Sequence, residues 1–158
     1  MTADPRTFRE ALGRFASGVC VATTVGEEGR PAGVTISAFA SLSLEPPLVL
    51  FCIGKRSANL SAWLTSRYFS INVLREDQAA LSETFAAPNH EKFAGVAGSL
   101  GGNGCFRIEG CLVTLECQRT RIHDEGDHYI IIGLVESAHF GADAKPLLRF
   151  RGAYGRLG

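Results

Sequence analysis

Residues 129–135 read Tyr129-Ile130-Ile131-Ile132-Gly133-Leu134-Val135, and no other stretch restricts the fold as strongly. A nearly all-apolar run of this kind predicts a strand, His128 to Phe140, with both faces covered. Just before it, Asp124-Glu125-Gly126-Asp127 predicts a turn, and Cys111 to His123 predicts a second long strand. Two long neighbours joined by a turn pair antiparallel, so the fold is built around a hairpin.

The rest of the chain supports a mainly β reading. Phe8, Leu12 and Phe15 after Pro5 have helical spacing, with Gly18 just past the end. Val19 to Val25 is a short apolar run, Glu27-Glu28-Gly29-Arg30 a turn, and Ala32 to Ser43 an extended segment. Pro46-Pro47 stiffens the connection into Leu48 to Ile53. Ser57 reads as a helix N-cap ahead of Leu60, Trp63 and Leu64, Tyr68 to Leu74 as a strand, and Asp77 to Phe85 as a helix. The glycine-rich stretch between Phe93 and Gly104 reads as a mobile loop. Strands that outnumber helices and follow one another predict one domain, residues 1–158: a closed antiparallel barrel with a few helices packed outside.

Composition removes several function classes. Lys and Arg total 16 and Asp and Glu total 16, so the basic excess of a nucleic-acid binder is missing. No stretch reaches the ~20 apolar residues of a membrane span, and the charged start MTADPRTFREALGRF reads as neither signal nor transit peptide, which makes the cytoplasm the expected location. The five cysteines are odd in number and form no C-x-x-C, so they read as buried apolar thiols and no metal is expected. Dinucleotide-fold, P-loop, nucleophile-elbow and zincin motifs are all missing from the sequence.

On a period of two, Thr35, Ser37, Phe39, Ser41 and Ser43 share one face of the strand Val34 to Ser43. Four hydroxyls and one ring form either ordinary solvent-facing surface or a wall that hydrogen-bonds a flat heteroaromatic edge. Next comes Lys55-Arg56-Ser57-Ala58-Asn59, two cations ahead of an expected helix start. Alone this is an ordinary cap beside solvated cations. Directly after a polar-faced strand, it points to a seat for the phosphate of a phosphorylated heteroaromatic ligand.

These residues also carry a family resemblance. Gly33 to Ser43, Pro46 to Leu50, Cys52-Ile53, Ser57-Ala58-Asn59, Gly126-Asp127-His128 and Phe150-Arg151-Gly152-Ala153-Tyr154-Gly155 together resemble the short-chain flavin reductases. Those are the reductase components of two-component flavin-dependent monooxygenases, and the likeness runs from the Phe8 helix to Leu157. It implies an FMN-binding split barrel that forms a homodimer. By position, Thr35, Ile36, Ser37 and Ala38 with Ser41, Leu42 and Ser43 would line the flavin ring, and Cys52 and Ile53 would lie against it. Ser57, Ala58 and Asn59, with Lys55 or Arg56, would take the phosphate of FMN or FAD. Asn89, Lys92 and Phe93, within the stretch from Phe85 to Phe93 that includes His90, resemble a second flavin-contacting segment in which relatives often carry Arg in place of Lys. His128 would lie by the nicotinamide of NADH or NADPH, although a polar residue at a strand start is the plain alternative.

At the end of the chain, Lys145, Arg149, Arg151 and Arg156 follow Asp143 with no intervening acid. This is either a solvated basic tail or, with Phe150, Gly152 and Tyr154 interleaved, a surface for the phosphates and rings of a dinucleotide. The expected reaction is hydride transfer from nicotinamide to flavin, which needs positioning more than acid–base groups, with reduced flavin passed to a separate oxygenase. Two rivals share the barrel. One is a pyridoxamine-phosphate-oxidase-like flavoprotein, and the other is a non-enzymatic FMN-binding electron carrier or redox sensor.

Overall fold

The computed structural model describes residues 1–89 and 91–158, so His90 lies outside the described residues. Helix α1 (Pro5–Gly13) starts at Asp4, whose carboxylate accepts from the Arg6 and Thr7 N–H groups. Strands β1 (Ser17–Gly18), β2 (Cys20–Val25), β3 (Pro31–Ile36), β4 (Phe39–Leu44) and β5 (Pro47–Gly54) follow. Then come α2 (Leu60–Thr65), β6 (Tyr68–Val73), α3 (Ala79–Ala86), β7 (Gly98–Leu100) and β8 (Phe106–Ile108). Strands β9 (Val113–Glu125), β10 (His128–Phe140), β11 (Leu148–Phe150) and β12 (Ala153–Gly155) complete the chain.

The hairpin is the spine of the molecule. β9 and β10 pair along almost their whole length across a turn at Gly126 and Asp127, with irregularities between Ile132 and Gly133 and between Val135 and Ser137. Gly133 has a packing reason to be glycine, because a Cβ there would stand 2.3 Å from Phe69 Cζ. β6 pairs on the free edge of β9 and β5 on that of β10. β2 and β3 extend one side and β4 the other, giving a seven-stranded antiparallel sheet in the order β3-β2-β6-β9-β10-β5-β4.

That sheet does not close, so the expected closed split barrel is corrected to an open antiparallel sheet with three helices. β3 and β4 are neighbours in sequence but stand at opposite ends of the strand order. The chain turns at Ser37-Ala38 and sends β3 to β2 and β4 to β5. β3 does not pair with β4. Instead, its Thr35 hydroxyl donates to the Ser82 carbonyl beside it, and its Gly33 carbonyl accepts from Lys92. The same corner splits the extended segment expected from Ala32 to Ser43 into two strands, and a register shift between Ser41 and Ser43 disturbs the alternation further. The five-residue hydroxyl face is therefore not one face. Two smaller sheets, β1-β11-β12 and β7-β8, flank the large one.

The glycine-rich stretch also differs from a plain loop. Part of it forms the β7–β8 hairpin, and Asn103 anchors the turn by donating to the Phe69 carbonyl while accepting from the Cys105 N–H. β2 is buried on both faces, so alternate residues feed two cores. Cys20 and Ala22 join Phe51, Trp63, Phe69 and Ile131, while Val19 and Val21 join Phe85, Leu74 and Leu147. Edge-on ring contacts at 5.6 Å (Phe51–Trp63) and 5.1 Å (Phe51–Phe69) knit the first core. Cys111 and Cys117 fall in different cores, because the strand begins only at Val113.

Candidate functional site

The corner between β3 and β4 opens a recess of about 350 Å³. Thr35, Ile36, Ser37 and Ala38 form one wall and Cys52 and Ile53 of β5 another. The corner is held by the Cys52 N–H, which donates to the Ala38 carbonyl at 3.0 Å. Arg56, Ser57 and Ala58 supply a polar end with one cation, and His128 stands at the rim. Lys92 also reaches the recess, so eleven residues singled out from the sequence share it. Val34, Gly54, Ala86, Ala87 and Pro88 complete the lining. Small or apolar residues of this kind carry no chemical signature in a sequence, although Ala86 to Pro88 lie inside the stretch flagged around Lys92.

The polar end is a turn and not a helix start. α2 begins at Leu60, three residues after Ser57, and the Ser57 N–H donates to Gly54 O while the Leu60 N–H donates to Ser57 O. The expected Ser57 N-cap is corrected accordingly, and charge from Arg56 and the Ser57 hydroxyl must provide what a helix terminus was expected to give.

The two neighbouring cations divide their work. Lys55 ion-pairs with Asp124, its ammonium sits 5.1 Å from the Tyr129 ring centroid, and its N–H donates to Asp127 O. The hydrogen bond to Asp124 raises the Lys55 pKa. Lys55 thus ties the end of β5 to the hairpin turn and leaves Arg56 facing the recess. That tie positions His128, which lies opposite Gly54 in the β5–β10 pairing. His128 Nδ1 is 2.6 Å from Asp127 Oδ1, and this hydrogen bond holds the Asp127 carboxyl below its usual value. With Nδ1–H donating to the carboxylate, the neutral ring keeps Nε2 as an acceptor.

Lys92 is buried at 5% exposure, and its ammonium donates to Phe85 O at 2.9 Å and Gly33 O at 3.2 Å. Burial pushes its pKa down. It pins the segment after α3 to β3. Phe93 packs edge-on against Phe85 and Phe106 at 5.0 Å and 5.2 Å, inside the second core. Asn89 is exposed and does not line the recess. Ser41, Leu42 and Ser43 lie past the corner on β4, outside the recess, with Leu42 exposed. Asn59 faces a different hollow beside Arg30 and Ala62.

The C-terminal residues do not join His128. Arg151 and Gly152 line a second, larger recess of about 580 Å³ against α1. Phe150 is 42% exposed under the Arg151 guanidinium, 5.1 Å from it. The Tyr154 hydroxyl donates to Ser82 Oγ at 2.8 Å and its ring lies under Arg149 at 5.4 Å. The thiols are poor nucleophiles in this setting. Burial pushes Cys20, Cys105 and Cys117 up to about 12 and Cys111 to about 11, and it also raises half-buried Cys52.

Comparison with known proteins gives a consistent answer. The family described as "Flavin reductase like domain" matches residues 12–158. The reductase subunit HsaB of a flavin-dependent monooxygenase from Mycobacterium tuberculosis is 43% identical over 96% of this chain and 81% of its own length. "FMN reductase (NADH) SmoA" from Agrobacterium fabrum is 42% identical over 96% of the chain and 86% of its own length. Among solved structures, the Streptomyces globisporus NADH:FAD oxidoreductase SgcE6, in complex with NAD and FAD fragments, superposes with a TM-score of 0.92 at 33% identity, covering 100% of this chain and 97% of that one.

Proposed function

Because the chain belongs to the flavin reductase-like family, we propose that the corner recess holds the flavin, with the ring at Ser37-Ala38 and the phosphate at Arg56-Ser57. The enzyme is a flavin reductase: it reduces FMN or FAD with NADH, and the reduced flavin serves a separate monooxygenase. The single observation that carries the site is the convergence of the β3–β4 corner, Cys52-Ile53, Arg56-Ser57 and His128 on one recess. Its lining combines what such a ligand needs, the Arg56 cation and Ser57 hydroxyl for a phosphate and the small or apolar Ala38, Cys52 and Ala87 for a flat ring.

When bound, the flavin supplies the ring that takes a hydride from NADH and a proton from solvent, giving NAD⁺ and reduced flavin. The protein's part is positioning. Corner backbone and the Thr35 and Ser37 region orient the ring edge, Arg56 neutralises the phosphate, and Cys52 and Ile53 floor the recess. His128, oriented by Asp127, guides the nicotinamide from the rim and moves no proton. No acid–base residue is required, which separates this reading from an electron carrier only by turnover.

A homodimer belongs to the same proposal. Phe8 and Leu12 of α1 and Phe15 after it are exposed at 56%, 57% and 80%, a contiguous apolar surface that a second copy would cover. The proposal also takes residues 1–158 as one domain acting in the cytoplasm, where NADH is supplied. Among the described residues no helix is long and apolar enough to cross a membrane.

The test is to mix the protein with NADH, with and without added FMN or FAD, and follow the nicotinamide absorbance. Flavin-dependent oxidation is expected; no turnover with either flavin refutes the reading. For the rim residue, His128→Ala is expected to weaken the use of NADH more than flavin binding, and an unchanged NADH dependence removes that role.

A further inference from the structure

Helix α3 borders the corner recess, and a buried serine fixes where the helix lies. Its last residue, Ala86, lines the recess together with Ala87 and Pro88. Ser82 and Phe85 are the two buried residues of the helix, and neither has any exposed surface. A hydroxyl buried without a bond destabilises a fold, and alanine, of nearly the same size, is the better helix former. Ser82 therefore depends on the bond its side chain makes.

That bond comes from the C-terminal hairpin. The Tyr154 hydroxyl donates to Ser82 Oγ at 2.8 Å, and the Tyr154 ring packs against the second core. Two further ties join α3 to β3. The Thr35 hydroxyl donates to Ser82 O at 2.6 Å, and Lys92 donates to both Phe85 O and Gly33 O. Thr35 and Lys92 are themselves in the lining of the recess, whereas Ser82 is not. Three elements thus meet at Ser82: α3 through its own backbone, β3 through Thr35, and the β11–β12 hairpin through Tyr154.

About one helical turn separates Ser82 from Ala86, so a shift of α3 at Ser82 carries straight into the recess wall. The Thr35 proton is committed to Ser82 O, which fixes how Thr35 faces the recess. A wall held rigid before the ligand arrives binds it more tightly than one that must be ordered on binding. We infer that Ser82 is a positioning residue for flavin: braced by Tyr154, it holds α3 and Thr35 as one side of the recess without touching the ligand. This rests on the proposed placement of flavin. Tyr154 then serves the flavin wall and not, as its place among the arginines implied, the nucleotide.

Tyr154→Phe and Ser82→Ala each delete the bond and little else. The FMN affinity of each, read from flavin fluorescence, should fall by roughly two- to tenfold, the worth of one neutral hydrogen bond. The double variant should bind no more weakly than the weaker single, because both side chains act through one bond. The KM for NADH at saturating FMN should keep its wild-type value in all three. Thr84→Ala, which removes an exposed hydroxyl from the same helix, should behave as wild type. Tm is measured alongside. A lower Tm with unchanged FMN affinity means that the bond only supports the fold, and the inference is overturned. A raised KM for NADH in Tyr154→Phe, with FMN affinity unchanged, puts Tyr154 on the nucleotide and overturns it as well. So does a double variant whose loss is the product of the two single losses. A wild type that binds no flavin sinks the placement of flavin together with this inference, whereas equal FMN binding by wild type and variants sinks the inference alone.

Discussion

Gly33→Ala tests how the second core supports the recess at the β3–β4 corner. In most strands this change is neutral or favourable, because alanine lowers the entropy of the unfolded chain and is worth about 0.4–1 kcal/mol where the backbone tolerates it. Gly33 has no left-handed backbone, so space alone decides the sign. An added Cβ would stand 2.6 Å from Phe85 Cε1, 2.7 Å from Phe85 Cδ1 and 3.0 Å from Phe93 Cζ. Phe85 has no exposed surface and is wedged against Phe93, which is wedged against Phe106, so neither ring has room to retreat. Overpacking of this kind costs about 1–3 kcal/mol, which outweighs the entropic gain and leaves a net loss of about 1–2 kcal/mol. For a chain of this size that lowers Tm by about 2–8 °C. Displacing Phe85 also moves the end of α3, whose Ala86 and Ala87 line the recess, so FMN should bind more weakly. Gly18→Ala is the control, because a Cβ there meets nothing within 4 Å. Guanidinium denaturation of the two variants, at unchanged m, reads the comparison. If Gly33→Ala is as stable as Gly18→Ala, the packing argument is wrong.

Two further changes probe buried polar groups. Lys92→Met removes the donor to Gly33 O and Phe85 O; two carbonyls left unpaired cost about 1–3 kcal/mol each, partly offset by no longer burying an ammonium, so denaturation should show a loss of about 1–3 kcal/mol, and an unchanged midpoint contradicts the tie. Glu116 is buried, which by itself raises its carboxyl, but bonds from Ser137, His139 and the Gly102 backbone outweigh burial and hold it below its ordinary 4.5. A lowered carboxyl stabilises the fold fully above that ordinary value and loses the contribution as pH falls through the folded one, so Tm of the wild type should drop more steeply than that of Glu116→Gln on acidification below about 4.5. Parallel acid limbs would show that Glu116 is not the titrating group.

Local chemistry was legible where it is written in consecutive residues. The apolar run at Ile130 to Ile132 and the turn before it set the hairpin, and Thr35 to Ala38, Cys52-Ile53, Arg56 to Ala58 and His128 converge in space as the motifs implied. The corner at Ser37-Ala38 was not, because small residues keep an alternating pattern alive through a bend; strands that follow one another suggested a closed barrel, whereas this corner sends β3 and β4 to opposite ends of an open sheet. Edge behaviour is equally hidden: nothing near Gly33 announces that Lys92, 59 residues away, bonds its carbonyl. Lys55 and Arg56 look interchangeable in sequence, yet Asp124 and Tyr129 claim the first and leave the second to the recess. Arg9 and Arg14 carry no motif at all, and only the fold sets them beside the C-terminal hairpin in one recess.

The central claim is that flavin sits at the Ser37-Ala38 corner with its phosphate at Arg56-Ser57. The affinities of FMN and riboflavin for the wild type and for Arg56→Ala test it most directly, since the two ligands differ only in the phosphate. A charge-assisted contact at a partly exposed site predicts that Arg56→Ala weakens FMN by about tenfold and leaves riboflavin unchanged. Equal loss for both ligands, or none for either, would contradict this placement of the phosphate.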